Sequence, residues 1–172
     1  MADMNAPILE LNACARLAAE WRRQGLTVVF TNGHFDLLHA GHVAYLQAAR
    51  AMGDRLIVGL NSDASTRRRK GPTRPILPRD ERAHLLAALR AVDAVLLWEQ
   101  DDFREAVAAL KPAIYVKGAD WNRANGPKPP EAEIVENTGG SVAYVELTPG
   151  RSTSTLVQDI LRRHGCEAEG EA

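Results

Sequence analysis

The stretch LTVVFTNGHFDLLHAGHVAYL, residues 26–46, decides the architecture of the chain. LTVVFT (26–31) is almost wholly apolar, rich in β-branched residues and without polar alternation. Such a strand is covered on both faces, as in a parallel sheet flanked by helices. A polar loop follows and opens into a helix through Met52, which Gly53 ends. Working outward, RLIVGL (55–60), AVLLW (94–98), AIYV (113–116) and SVAYVEL (141–147) repeat the strand signal. Helices are predicted between them at about 78–90, 102–110, 131–137 and 152–164, with a polar segment over 61–79. Ahead of the first strand, Leu9, Cys14, Leu17, Ala18 and Trp21 recur at helical spacing, so a helix is predicted over about 8–24. The pattern predicts one doubly wound α/β domain over 1–164, with a core over 26–164, five parallel strands and helices on both faces. Ligands of such sheets sit beyond the carboxyl ends of the strands. The tail GCEAEGEA (165–172) has three glutamates and no large apolar group, and reads as disordered.

Composition narrows the function. Twenty-one Lys+Arg against 22 Asp+Glu give a net charge of −1, which argues against a broadly basic nucleic-acid binder. No apolar run approaches the roughly 20 residues of a membrane span. The N-terminus lacks a basic start followed by an unbroken apolar stretch, so it does not read as a signal peptide. Cys14 and Cys166 lie far apart without metal-ligand spacing and read as two thiols in a reducing compartment. A soluble cytoplasmic protein is expected.

Four segments carry candidate chemistry, each after a predicted strand. In TNGHFDLLHAGH (31–42), His39 and His42 stand three apart at the opening turn of a helix, on one face. A helix start presents free N–H groups and partial positive charge, which suit a phosphate. Gly41 between the histidines allows close backbone approach, and Gly33 before them allows the chain to turn tightly under a nucleotide. A zinc pair would need further ligands, for which only His34 and Asp36 offer themselves; capping or core histidines are the plainer alternative. In RRRKGPTR (67–74), extended by Arg79 and Arg82, a solvated basic face competes with a shaped phosphate-binding loop. Arg82, on a helix, is placed to grip phosphate oxygens bidentately. KGADW (117–121) offers Gly118 for close approach and Asp120 to accept bonds from ribose or base. GRSTST (150–155) has more hydroxyls than helix capping requires. The P-loop, the G-x-G-x-x-G fingerprint and the G-x-S-x-G elbow are absent from the sequence.

Together these motifs resemble the cytidylyltransferase-like nucleotidyltransferases, whose His-x-Gly-His matches His39-Ala40-Gly41-His42 and whose Ser/Thr-rich second motif matches GRSTST. Arg151 stands where that motif usually has Ile, and Leu156-Val157 replace the basic residue that often follows it. LNSDAST, KGPTRPI, the Glu81-Arg82 helix, AVDAV and YVKGADW make the chain most similar to the branch that forms ADP-heptose, here without a fused sugar kinase. The resemblance implies a Rossmann-like fold and transfer of AMP from ATP to D-glycero-β-D-manno-heptose 1-phosphate, for the lipopolysaccharide inner core. It implies Mg²⁺ carried mainly by the ATP phosphates, with few protein ligands, and a homodimer with neither nucleic-acid nor membrane partners. By position, it assigns His39, His42 and Lys70 to catalysis. Thr31, Asn32, Gly33, Gly41, Arg82, Lys117, Gly118, Asp120, Ser152, Thr153 and Ser154 fall to the nucleotide, and Asp36 and Asp63 to the sugar phosphate. The alternatives are a cytidylyltransferase acting on glycerol 3-phosphate or a related phosphate, and a non-catalytic nucleotide sensor.

Overall fold

The computed structural model describes residues 5–121, 128–146, 148, 150 and 152–165. Arg151, Cys166 and nearly all of the acidic tail lie outside the described residues. The chain runs β1 (Ile8–Leu9), α1 (Leu11–Arg23), β2 (Val28–Gly33), α2 (Ala40–Arg50), β3 (Arg55–Asn61), α3 (Asp63–Lys70), α4 (Arg79–Ala87), β4 (Ala94–Trp98), α5 (Arg104–Leu110), β5 (Ile114–Gly118), a 3₁₀ turn (Ala119–Trp121), α6 (Ala132–Asn137), β6 (Ser141–Val145) and α7 (Thr153–Arg163). All strand pairs are parallel, in the order β1-β4-β3-β2-β5-β6.

Successive strand residues feed opposite faces, and two apolar clusters result. One joins Val29, Leu56, Val58 and Val95 to Leu46 and Ala49 of α2 and Leu86 of α4. The other joins Phe30, Ile57 and Leu96 to Cys14 and Ala18 of α1, Val107 and Leu110 of α5 and Val135 of α6. Burial of the Cys14 thiol pushes its pKa up to about 12, so this cysteine is an inert core residue. Gly59 in β3 is fixed by packing: a Cβ there would sit 2.4 Å from the Phe103 ring. Among the described residues, no helix is long and apolar enough to cross a membrane.

Two expectations are corrected. The sheet has six strands rather than five, because Ile8–Leu9 pair with Val95–Leu96 at the edge instead of opening the first helix, which begins at Leu11. The polar segment over 61–79, for which no element was predicted, contains an eight-residue helix, α3. Ser62 caps it by accepting from Ser65 N–H at 3.2 Å, Asp63 complements its positive end, and Gly71 at φ +98° stops it after the basic run.

Candidate active site

The chain builds β2, β3 and β4 outward in one direction, then places β5 on the other side of β2. The strand order therefore reverses between β2 and β5, and the crevice at their carboxyl ends is where such a sheet receives a ligand. Three cavities of about 560, 630 and 330 Å³ open there, and His34 and Lys70 line all three.

His39 caps α2: its Nδ1 accepts the His42 N–H at 3.3 Å. Capping and anion binding, alternatives in the sequence, are compatible here. An accepting Nδ1 leaves the proton of the neutral ring on Nε2, so His39 is a hydrogen-bond donor. His42 stacks on it with centroids 3.8 Å apart and meets Phe35 edge-on at 5.3 Å. The His42 Nδ1 is buried without a hydrogen-bond partner among the described residues, and the ring lines the second and third cavities. Burial, then the field of His39, lowers the His42 pKa to about 4, with the Leu37 carbonyl acting weakly the other way. Burial and the charges of Lys70, Arg69 and Arg82 bring His34 to about 4 also, against Asp36. Both rings are neutral at pH 7, which leaves the cationic charge to lysine and arginine. Phe35 holds a left-handed φ of +44°, and its ring packs where a Cβ on Gly33 would come within 3.0 Å. Gly33 is thus needed for the Phe35 ring rather than for a tight turn.

From β5, Lys117 donates to Asn32 Oδ1 at 3.2 Å, and its ammonium lies 4.8 Å from the Trp121 ring centre. The Tyr115 hydroxyl donates to the same Oδ1 at 2.6 Å, so the Asn32 amide NH₂ is left for a ligand. Burial lowers the Lys117 pKa, an effect that Glu131 opposes. Gly118 and Asp120 line the third cavity beside His39, Gly41 and His42. At α7, Ser152 caps the helix by accepting from Thr155 N–H at 3.0 Å, while Ser152, Thr153 and Ser154 line the second cavity with His42 and Lys70.

Four assigned residues take other parts. Thr31 is fully buried; its hydroxyl meets Tyr45 Oη at 2.7 Å and the Val116 carbonyl at 2.9 Å, joining β2, α2 and β5 beneath the cleft. Arg82 is fully buried rather than facing phosphate. Its guanidinium donates to the Leu77, His34 and Asn61 carbonyls at 3.0, 2.6 and 3.1 Å and to Asp63 Oδ1 at 2.5 Å. Asp63, engaged there, lines a separate depression with Pro78 and Glu99. Asp36 borders the second cavity, but its carboxylate accepts from Arg74 at 2.9 Å and from the Ile76 and Leu77 N–H groups at 2.6 and 3.2 Å. It straps the segment after α3 onto the histidine loop.

Residues 30–164 match the cytidylyltransferase-like family. The chain belongs to that family. It is 48% identical over 166 residues to the bifunctional protein HldE of Trichlorobacter lovleyi, covering 94% of this chain and 32% of that protein. It is 52% identical over 142 residues to the HldE of Magnetococcus marinus, covering 83% and 28%. The chain thus spans about a third of the length of the curated relatives it matches. Among solved structures, a lipopolysaccharide core biosynthesis protein from Thermoplasma volcanium superposes with a TM-score of 0.59 at 28% identity, covering 72% of this chain and 98% of that one.

In this cytidylyltransferase-like chain, the cleft also contains residues that the sequence reading left without a role. His34 donates to or accepts from Thr66 Oγ1 at 3.0 Å; as a third histidine within the first motif, it carried a local signal. Arg69, Asp101, Asp102, Trp121 and Glu131 line the first cavity; Arg69 and Trp121 lie in motifs the sequence marked, and no motif marked the three acids. Asp101 also holds Arg68 at 2.7 Å. The basic run is divided accordingly: Arg68 is paired, Lys70 and Arg69 reach the cleft, and Arg67 is exposed.

Proposed function

We propose that this chain is an adenylyltransferase that moves AMP from ATP to D-glycero-β-D-manno-heptose 1-phosphate, releasing pyrophosphate and forming ADP-heptose for the lipopolysaccharide inner core. The observation that carries this reading is that TNGHFDLLHAGH, LNSDAST, KGPTRPI, YVKGADW and the Ser/Thr run, distant in sequence, all border one cleft at the β2/β5 switch. The likeness to proteins named HldE supports the same branch.

In the proposed reaction an oxygen of the sugar phosphate attacks the α-phosphorus of ATP. The new P–O bond forms as the bond to the β-phosphate bridge breaks in line, and pyrophosphate carries the electron pair away. The attacking group is already an anion, so no activated serine or cysteine is required. The protein's contribution is to align two mutually repelling anions and to stabilise growing charge with fixed donors. His39 Nε2–H, the start of α2, Lys70 and the α7 hydroxyls supply such donors. Among the described residues, no three His, Cys, Asp or Glu side chains are grouped to hold a metal ion, and the cleft's donors suit phosphates. In this reading Mg²⁺ comes with the triphosphate, which supplies most of its ligands, and it screens phosphate charge when bound. The same reading places the chain in the cytoplasm as a homodimer acting on small molecules, without nucleic-acid or membrane partners.

Measuring pyrophosphate release with Mg²⁺ tests the proposal, crossing ATP and CTP with heptose 1-phosphate and glycerol 3-phosphate. Release with ATP and the heptose phosphate alone is expected. Release with CTP and glycerol 3-phosphate would replace the substrates, and nucleotide binding without release from any pair would favour a sensor. Within the basic run, Lys70→Ala should lower kcat/KM by roughly tenfold or more through loss of a charge-assisted contact. Arg67→Ala should stay within about twofold, as for an exposed surface charge. Equal, salt-sensitive losses at both would show diffuse attraction instead of a defined contact.

A further inference from the structure

The last turn of α3, Arg67–Lys70, carries four cations in succession, all of them exposed. The roll of this helix about its axis decides where Lys70 points. Residues three and four apart share a helix face, so Ser65, Arg68 and Arg69 lie on one side of α3 and Thr66 and Lys70 on another. The second side meets the cleft: Thr66 Oγ1 is 3.0 Å from His34 Nδ1, and Thr66 and Lys70 line the second cavity together.

The first side meets the loop between β4 and α5. Arg68 Nε lies 3.1 Å from each oxygen of the Asp101 carboxylate, and its Nη2 donates to Oδ1 at 2.7 Å. Arg69 Nη1 donates to the Asp101 carbonyl at 3.2 Å. Hydrogen bonds from Arg68, then from Ser65, hold the Asp101 carboxyl below the usual carboxylate range. One residue thus engages all three positions of that face. The loop is itself fixed: Trp98 Nε1 donates to the Asp102 carbonyl at 2.6 Å, and Glu131 Oε1 accepts from Phe103 N–H at 2.9 Å. Exposed ion pairs usually contribute little, and several contacts from one guanidinium to one anchored carboxylate are the exception.

Beyond Lys70, the Asp36 carboxylate holds Arg74 and the Ile76 and Leu77 N–H groups, so the lysine sits between two carboxylate anchors. We infer that Asp101 is a positioning residue: by gripping the Ser65, Arg68 and Arg69 face it sets the roll of α3 and aims Lys70 into the cleft. This inference rests on the proposed reaction, to which it adds a residue that acts through another side chain.

Asp101→Ala should lower kcat/KM for pyrophosphate release by about fivefold or more, since small displacements of a charge-stabilising group are costly. In a Lys70→Ala background the same substitution should change kcat/KM by less than about twofold, because the group it positions is gone. Equal losses in both backgrounds would make Asp101 a direct contact or a general support, and would overturn the inference. So would an unaltered kcat/KM in the single variant. Arg68→Ala should reproduce the pattern from the other partner, and it decides the matter if D101A does not fold. If the unaltered protein releases no pyrophosphate from any substrate pair, the adenylyltransferase reading fails on its own. Calorimetric titration with tripolyphosphate then tests Asp101 separately. Binding weakened about fivefold in D101A, with no further loss from K70A to the double variant, upholds the inference. Equal binding by D101A and the unaltered protein, additive losses, or no binding to the unaltered protein rejects it.

Discussion

His42→Ala is expected to lower turnover by roughly 10²–10³, the magnitude for removing one donor that follows charge growing in a transition state. The ring stacks on His39 and meets Phe35 edge-on, so its loss should cost about 1 kcal/mol of stability, far less than the catalytic effect. Near-normal turnover in the variant, measured by pyrophosphate release, would remove His42 from the site. The acidic side of the profile supplies a second check. His34 and His42 have folded-state pKa values of about 4, against 6.5 for the free side chain. Between those values the unfolded chain binds protons that the folded chain does not, so stability falls as pH drops through the window. Each ring should contribute about 2 kcal/mol of that fall between pH 7.5 and 5. Urea titrations at the two pH values should show the decline reduced by about that amount in His42→Ala. An identical decline in both proteins would mean that the ring is not held neutral.

Arg82→Ala should destabilise the fold by about 3–5 kcal/mol, as when one partner of a buried ionic network is removed. The variant strands three carbonyls, those of Leu77, His34 and Asn61, together with the Asp63 carboxylate. Lysine should not rescue it, since one ammonium cannot reproduce a planar fork bonded to four acceptors. Thermal or urea unfolding measures the effect. Unchanged stability combined with a raised Michaelis constant for ATP would restore Arg82 as a phosphate ligand. Activity should fall with stability, because His34, at the centre of the cleft, is held partly through its own carbonyl on Arg82.

The contrast between these two residues shows how far the sequence could be read. His39 and His42 were legible because both their spacing and the helix that orients them are local. The four inner strands, β2 to β5, were legible because a mostly apolar run announces burial on both faces. Arg82 looked like a member of a basic cluster, and nothing nearby in sequence distinguishes a solvated guanidinium from a buried one. Its burial follows from four acceptors up to 48 positions away. Thr31, Asp36 and Asp63 sit in the right motifs too, but the neighbours that engage them are ones only the fold supplies. β1 is two residues long between Pro7 and Glu10, too short for any period, and it exists through pairing with β4. Helix α3 did leave local marks, Ser62 and Asp63 at its start, but the density of positive charge after them resembled a loop. Glu131 lay in a Pro-rich stretch without a motif, and its place on the wall of the first cavity is a property of the fold alone.

The edge position of β1 also bears on how this unit can be joined to others. A strand parallel to its neighbours begins at the pole opposite their carboxyl ends, so the polypeptide reaches β1 from the far side of the sheet. A segment fused ahead of it is tethered there, at the outermost strand, with the whole sheet between the joint and the crevice. Such an arrangement lets a second catalytic module be attached or omitted without reshaping the mouth through which substrates enter.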